Sequence, residues 1–292
     1  MPSDDLPRFV FDLLGAVPGR GDGLNLWLFR VARVLHPFRS PEEIVELLYA
    51  ATAGEPIKPG EIERAIERSK SCAWQPGAPP PQRVVSPWPK LNRTKRDAVA
   101  ANGGLADLWE SSPIRLNGDG SHTEEIIDAL FPGNPLLCVG RSQSCFWTWT
   151  RDELRGGLSS LSVVVPSPMT ARAGKTQDDK LSAHALSITG PRRFLVIEQD
   201  NGPIDEQAAV LMHLSQFAPL ALAVHSGGKS VHGWFYCLSQ PEERLRRFMS
   251  YAVHLGADHA TWTRSQFVRM PDGLREDGKH QAVFYFNPEL VA

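Results

Sequence analysis

The side chains in this chain with chemistry to do are two acids ending one apolar run and a Lys-Ser-His set around a glycine turn about 25 residues later. The first run is FLVIEQDNG. Its Glu198 and Asp200 are two residues apart, so on a strand both point to one face. The second is AVHSGGKSVHGWF, with Ser226, Lys229 and Ser230 around Gly227 and Gly228, and His232 opening the next apolar run. Mg²⁺ and Mn²⁺ take hard oxygen ligands and are usually held by one or two carboxylates, with substrate phosphates completing the shell. Two carboxylates on one strand face can bridge two such ions roughly 3.5–4 Å apart. A glycine turn carrying Lys, Ser and His suits phosphates. Side by side, the two motifs suggest divalent-metal chemistry on a nucleoside triphosphate. A lone acid pair would be an ordinary polar strand end; the flanking elements give it weight.

Those elements have a readable order. Residues 192–200 form a branched, buried strand. Residues 205–218 carry Ala209, Leu211, Met212, Leu214 and Phe217 at helical spacing. Residues 219–226 and 230–238 read as strands joined by the Gly227–Gly228 turn, a hairpin signal. Residues 241–256 read as a helix, with Pro241 near its start and Gly256 at its stop. Strands are expected at 265–270 and 281–287. The order β-α-β-β-α-β with an extra strand predicts an α+β fold whose core is a ferredoxin-like, RRM-like split βαβ unit. Asp258, just past the second helix, is a routine loop aspartate by itself and a third candidate metal ligand beside Glu198 and Asp200.

SGGKS and RAGKT both end like a phosphate-binding P-loop. That motif needs a glycine five residues before its second one, where this chain has Ala223 and Met169. It must also open a helix, whereas SVHGWFYC alternates like a strand. Neither segment is a P-loop.

The acids and the turn together resemble the archaeo-eukaryotic primase superfamily, the primase-polymerases of phage and mobile-element type. Glu198 and Asp200 stand where the family carries an acid pair, usually DxD. Ser226 to His232 resembles its SGxxGxH motif, with Lys229 where Arg is frequent and Ser230 for the second small glycine. Asp258 fits the third motif, and QFVRMPDG with Arg269 looks like the family's R-x-P-G stretch. The resemblance spans roughly residues 105–292, with its motifs in 194–273. It implies a DNA primase or DNA-dependent polymerase, a nucleotidyltransferase that uses NTPs or dNTPs on a single-stranded DNA template. It further implies Mg²⁺ or Mn²⁺ on Glu198, Asp200 and Asp258, and the triphosphate on Ser226, Lys229, Ser230, His232 and Arg269. No helicase motor is visible, so a separate helicase is expected.

Composition sets the frame. The 292 residues are 42% hydrophobic and 22% charged, as in an ordinary globular protein. No apolar run approaches the roughly 18 residues of a membrane span, and MPSDDLPRF is acidic rather than signal-like, so no membrane partner and a cytoplasmic location are expected. A net charge of −2 argues for a local basic track, not an overall affinity for nucleic acid. Arg172, Lys175, Lys180, Arg192 and Arg193 are candidates for it, although each alone reads as a solvated loop charge. Cys72, Cys138, Cys145 and Cys237 form no CxxC, and no His partners stand at zinc spacing.

Residues 1–75 are expected to be a helical accessory module, weakly similar to the helical domain accompanying mobile-element primases. SPEEIVELLYA has a capping box, with Ser40 as N-cap, Pro41 at the first helical position and Glu43 closing it. Residues 76–89 read as a Pro-rich linker, and 90–292 as the catalytic domain with its RRM-like part at 190–292. The stretch 90–185 supplies a further α/β subdomain.

Two rivals stand beside the enzyme. A noncatalytic RRM-like replication protein would bind single strands by stacking bases on sheet aromatics, for which Phe235 and Tyr236 are available. A rolling-circle replication initiator would need His-x-His, which the chain lacks.

Overall fold

The computed structural model describes residues 6–18, 23–55, 57–76 and 88–291. The expected linker lies almost entirely within 77–87, outside the described residues. The chain divides into two compact units, Met1–Val85 and Ser86–Ala292.

The first unit contains α1 (Arg8–Leu14), α2 (Leu24–Leu35), α3 (Pro41–Ala51) and α4 (Glu61–Ser69). The capping box is formed: Glu43 N donates to Ser40 Oγ at 3.3 Å, and Ser40 N donates to Glu43 Oε2 at 2.7 Å. Leu24, Leu28, Val31 and Leu35 fall on one stripe of α2. They pack against Ile44 and Leu48 of α3 and Ile62 and Ile66 of α4.

The second unit opens with α5 (Arg93–Ala100), α6 (Leu105–Glu110) and α7 (Thr123–Leu130). Five strands follow: β1 (Leu136–Ser142), β2 (Cys145–Thr150), β3 (Val163–Val164), β4 (Gly174–Lys175) and β5 (Leu181–Ser182). Then come β6 (Phe194–Gln199), α8 (Ile204–Ser215), β7 (Leu220–His225), β8 (Val231–Tyr236), α9 (Glu242–His254), β9 (Val268–Arg269) and β10 (Val283–Phe286). One antiparallel sheet has the order β2-β1-β3-β9, a second has the order β10-β7-β8-β6, and β4 pairs with β5.

The fold is mixed α+β, and β8 lies between β6 and β7, the two strands that α8 connects. The last strand departs from the ferredoxin-like order, in which it would lie beside the first. Here β10 pairs with β7 instead. The cause is the path after α9. Ala257 bridges Gln199, and Asp258 N donates to Glu198 O at 3.0 Å, so the outer edge of β6 is already taken. The chain then leaves to pair Val268 with Val164 and Arg269 with Val163 in the first sheet, and returns at the far edge of the second. The strand expected over 265–270 is therefore only β9, and it belongs to the other sheet.

Alternation along the second sheet serves two cores. Phe194, Val196, Leu222, Val224 and Trp234 join Leu137, Val139 and Val164 of the first sheet. Leu195, Ile197, Ala223 and Phe235 join Leu211 and Leu214 of α8 and Met249 of α9. Both faces of the second sheet are thus covered. Among the described residues, no helix is long and apolar enough to cross a membrane.

Candidate active site

Period-2 alternation carries the inter-sheet face of β6 from Phe194 and Val196 to Glu198, where the apolar row gives way to polar side chains. His232 of β8 is directly opposite Glu198. On the other side, the Gln199–Ala257 bridge and the Asp258-to-Glu198 backbone bond set Asp258 opposite Glu198. Side chains directly opposed across strands share a face with Cβ atoms about 4.5–5.5 Å apart. Asp258, Glu198 and His232 therefore form one row. All three line a cleft of about 480 Å³, whose other lining residues include Arg141, Val163 and Arg269 of the first sheet.

His232 is buried; its Nε2 lies 3.4 Å from Glu198 Oε1 and 3.1 Å from Ser230 Oγ, while its Nδ1 is buried without a hydrogen-bond partner. Burial alone would push the Glu198 carboxyl up. The hydrogen bond and charge of His232 and the charge of Arg269, with the neighbouring Ser230 hydroxyl, outweigh it and hold the carboxyl below its ordinary value. Ionised Glu198 therefore stabilises the fold at neutral pH, and that contribution fades as pH falls through the folded-state value. In acid titrations of stability, Glu198→Gln should remove part of the loss seen below the ordinary glutamate range. An unchanged acid limb would show that His232 and the charge of Arg269 do not hold the carboxylate ionised.

Asp258 is the N-cap of the 3-10 turn His259–Trp262, with Oδ1 accepting from Ala260 N at 2.9 Å. Asp200 is one residue beyond β6 and accepts from the exposed Lys229 Nζ at 3.0 Å. The structure thus brings Glu198 and Asp258 together and ties Asp200 to Lys229. Among the described residues, no three of His, Cys, Asp or Glu are gathered around a single ion-sized space. The two cleft carboxylates are hard oxygen donors, the type and number with which Mg²⁺ or Mn²⁺ is held when waters and phosphates complete its shell.

The glycine turn is built differently from the phosphate cradle its sequence suggests. Ser226 and Ser230 are buried and bonded to each other, Ser230 Oγ donating to Ser226 Oγ at 2.9 Å. Gly227 sits at φ +70°, and a Cβ there would meet His280 O at 2.8 Å. Of the five residues expected to hold a triphosphate, His232 and Arg269 line the cleft, whereas the two serines and Lys229 make the hairpin. Arg269 is half-buried. Burial and the neighbouring Arg275 lower its pKa, against the opposing charges of Glu198 and Asp277.

The expected basic track is not one surface. Arg172 pairs with Glu153 at 2.9 Å, and Lys175 with Asp179 at 2.8 Å. Arg192 donates to Trp262 O at 2.9 Å, and Arg193 to Leu130 O at 2.6 Å. Lys180 belongs to the β4–β5 hairpin turn. All four cysteines are free. Cys138 is buried in the core with its thiol pushed up to about 11 by burial, and Cys145 is exposed.

Three residues that sequence reasoning missed hold or line the site. Arg96 of α5 donates to Gln199 Oε1 at 2.9 Å, to Leu255 O at 2.7 Å and to Asn201 O, clamping the end of β6 to the end of α9. Gln207 of α8 accepts from Val231 N at 2.8 Å and donates to Lys229 O at 2.8 Å, fixing the hairpin to the helix. Arg141 lines the cleft from the end of β1.

Compared with protein-family models, curated proteins and solved structures, the chain matches none.

Proposed function

We propose that this chain is a nucleotidyltransferase, a DNA primase or template-dependent polymerase that joins nucleotides from NTPs or dNTPs along single-stranded DNA. The observation that carries the reading is the Asp258–Glu198–His232 row opening into a cleft that Arg141 and Arg269 of the first sheet also line. Glu198 and Asp258 would hold Mg²⁺ or Mn²⁺, and Asp200 would join them on leaving Lys229. Such ions lower the pKa of an attacking hydroxyl and neutralise charge on the transferring phosphoryl group. His232, held by Glu198 and Ser230, would orient the triphosphate. The resemblance of these motifs to the primase-polymerases points the same way, and with no motor motif in the sequence a separate helicase would open the duplex.

The noncatalytic alternative draws less support. A stacking platform needs an open sheet face, but Phe235 is buried beneath Phe248 at 5.0 Å between ring centres, and Tyr236 lies under Arg193 at 5.5 Å.

The deciding experiment is incorporation of labelled nucleotide on unprimed and primed single-stranded templates, with each nucleotide set and with Mg²⁺ or Mn²⁺. Template binding without any incorporation under all of these conditions would return the chain to the noncatalytic class. A second test concerns Asp200. An exposed ion pair contributes about 0.2–1 kcal/mol, so Lys229→Ala should tighten Mn²⁺ binding by up to about fivefold. Unchanged Mn²⁺ affinity by calorimetry would exclude Asp200 from the ion site.

A further inference from the structure

We propose that Arg141, which no motif singles out, joins Arg269 to form the phosphate-binding wall of this cleft, taking a linear polyphosphate such as the triphosphate tail of a nucleotide. The choice of ligand rests on the nucleotidyltransferase reading; the choice of residues rests on the first sheet.

Arg141 is the extra residue of a β-bulge. Gly140 pairs with Phe146 and Ser142 with Cys145, which leaves Arg141 without a cross-strand partner. Bulges beside functional sites re-aim a side chain. This one is tight: a Cβ on Gly140 would stand 2.6 Å from Cys145 O, so the backbone at the bulge has little room to relax. Arg269 is held in the same sheet through Val163, which pairs with both Gly140 and Arg269. Both arginines line the cleft, and neither guanidinium makes a hydrogen bond or close ion pair with a described residue. Arg275, by contrast, is committed, donating to Ser226 O at 3.2 Å and lying 3.3 Å from Asp277.

Guanidinium groups present planar forks of donors that match phosphate oxygens, and two such groups that donate no hydrogen bond to a described residue have their donors to give to a ligand. The acids of the same cleft, Glu198, Asp258, Glu276 and Asp277, oppose a bare polyanion. A polyphosphate carrying a divalent cation meets both walls, its cation toward Glu198 and Asp258 and its oxygens toward the arginines. This assigns the phosphates to the first sheet and leaves the SGGKSVH turn the task of holding His232.

The test is calorimetric titration of the full chain with inorganic tripolyphosphate and equimolar Mg²⁺. Wild type should bind, and Arg141→Ala and Arg269→Ala should each weaken binding by at least about tenfold, with Arg141→Lys in between because it keeps charge and loses the fork. Arg172→Ala, in an exposed pair with Glu153, should bind as wild type does. Arg141 is exposed, so its variant keeps the fold, which near-UV circular dichroism checks. Absence of binding by wild type, or wild-type affinity in Arg141→Ala, overturns the proposal. The two readings separate cleanly. Arginine-dependent binding without nucleotide incorporation upholds the phosphate wall and removes the polymerase. Incorporation with Arg141-independent binding does the reverse.

Discussion

On the nucleotidyltransferase reading, Glu198→Gln should abolish metal-dependent nucleotide incorporation and leave the protein folded. The amide has nearly the shape of the carboxylate it replaces, so contact with His232 and packing at the end of β6 survive. What it loses is the negative charge at the centre of the Asp258–Glu198–His232 row. An active-site divalent ion supplies several kcal/mol of charge stabilisation in the transition state. Each 1.4 kcal/mol is tenfold in rate, so the expected loss is at least about 10³-fold. Single-turnover extension of a primed template measures it, with near-UV circular dichroism as the folding control. A variant within about tenfold of wild type would mean that Glu198 holds no catalytic ion, and the nucleotidyltransferase reading would fail with it.

Arg96→Leu lowers the free energy of unfolding of the second unit by about 3 kcal/mol. Arg96 is 4% exposed, and its guanidinium serves Gln199 Oε1 and two main-chain carbonyls, those of Leu255 and Asn201. Burial holds its pKa below the ordinary arginine value, against the charges of Glu206, Asp97 and Asp200. Each lost bond from a charged donor to a buried acceptor contributes about 1.5–3 kcal/mol, and relief of the buried charge offsets part of the sum. Urea unfolding followed by far-UV circular dichroism reads the change. Arg96→Lys should recover some of it, because an ammonium can reach one carbonyl but not span three acceptors. A loss below about 1 kcal/mol would show that β6 and α9 hold their register without the clamp.

The sequence made the local elements of the second sheet readable, and the helices of the first unit with them. Branched runs and helical spacing locate β6, α8, β7, β8, α9 and β10 to within a few residues. Strand order was less legible. Nothing in residues 255–282 announces that they first cover the edge of β6 and then lend two residues to another sheet. That routing depends on partners far away in the chain, not on local pattern. The site divides in the same way. Glu198 and His232 were legible because alternation and a hairpin fix their face. Asp258, a candidate from its position after the helix, lies opposite Glu198. Ser226, Ser230 and Lys229 were read as ligands from their types, but their hydroxyls and ammonium are engaged inside the hairpin and with Asp200. Arg96 and Gln199 are 103 residues apart, and no spacing rule reaches that far.

The segment from Ala257 to Val283 stitches the two sheets together, and this bears on how the protein comes into being. Asp258 and Arg269 both lie on it, one at the edge of each sheet. A ribosome that had released the chain only as far as α9 would have delivered Glu198, His232 and Arg141, yet no assembled site. The first sheet would lack its outermost strand, β6 would have an open edge, and β7 would lack its neighbour β10. Pairings of such long sequence separation form slowly and leave unpaired strand edges exposed while they wait. The cleft is thus incomplete in every shorter nascent chain, and the same stretch that completes it also buries the edges most prone to aggregate.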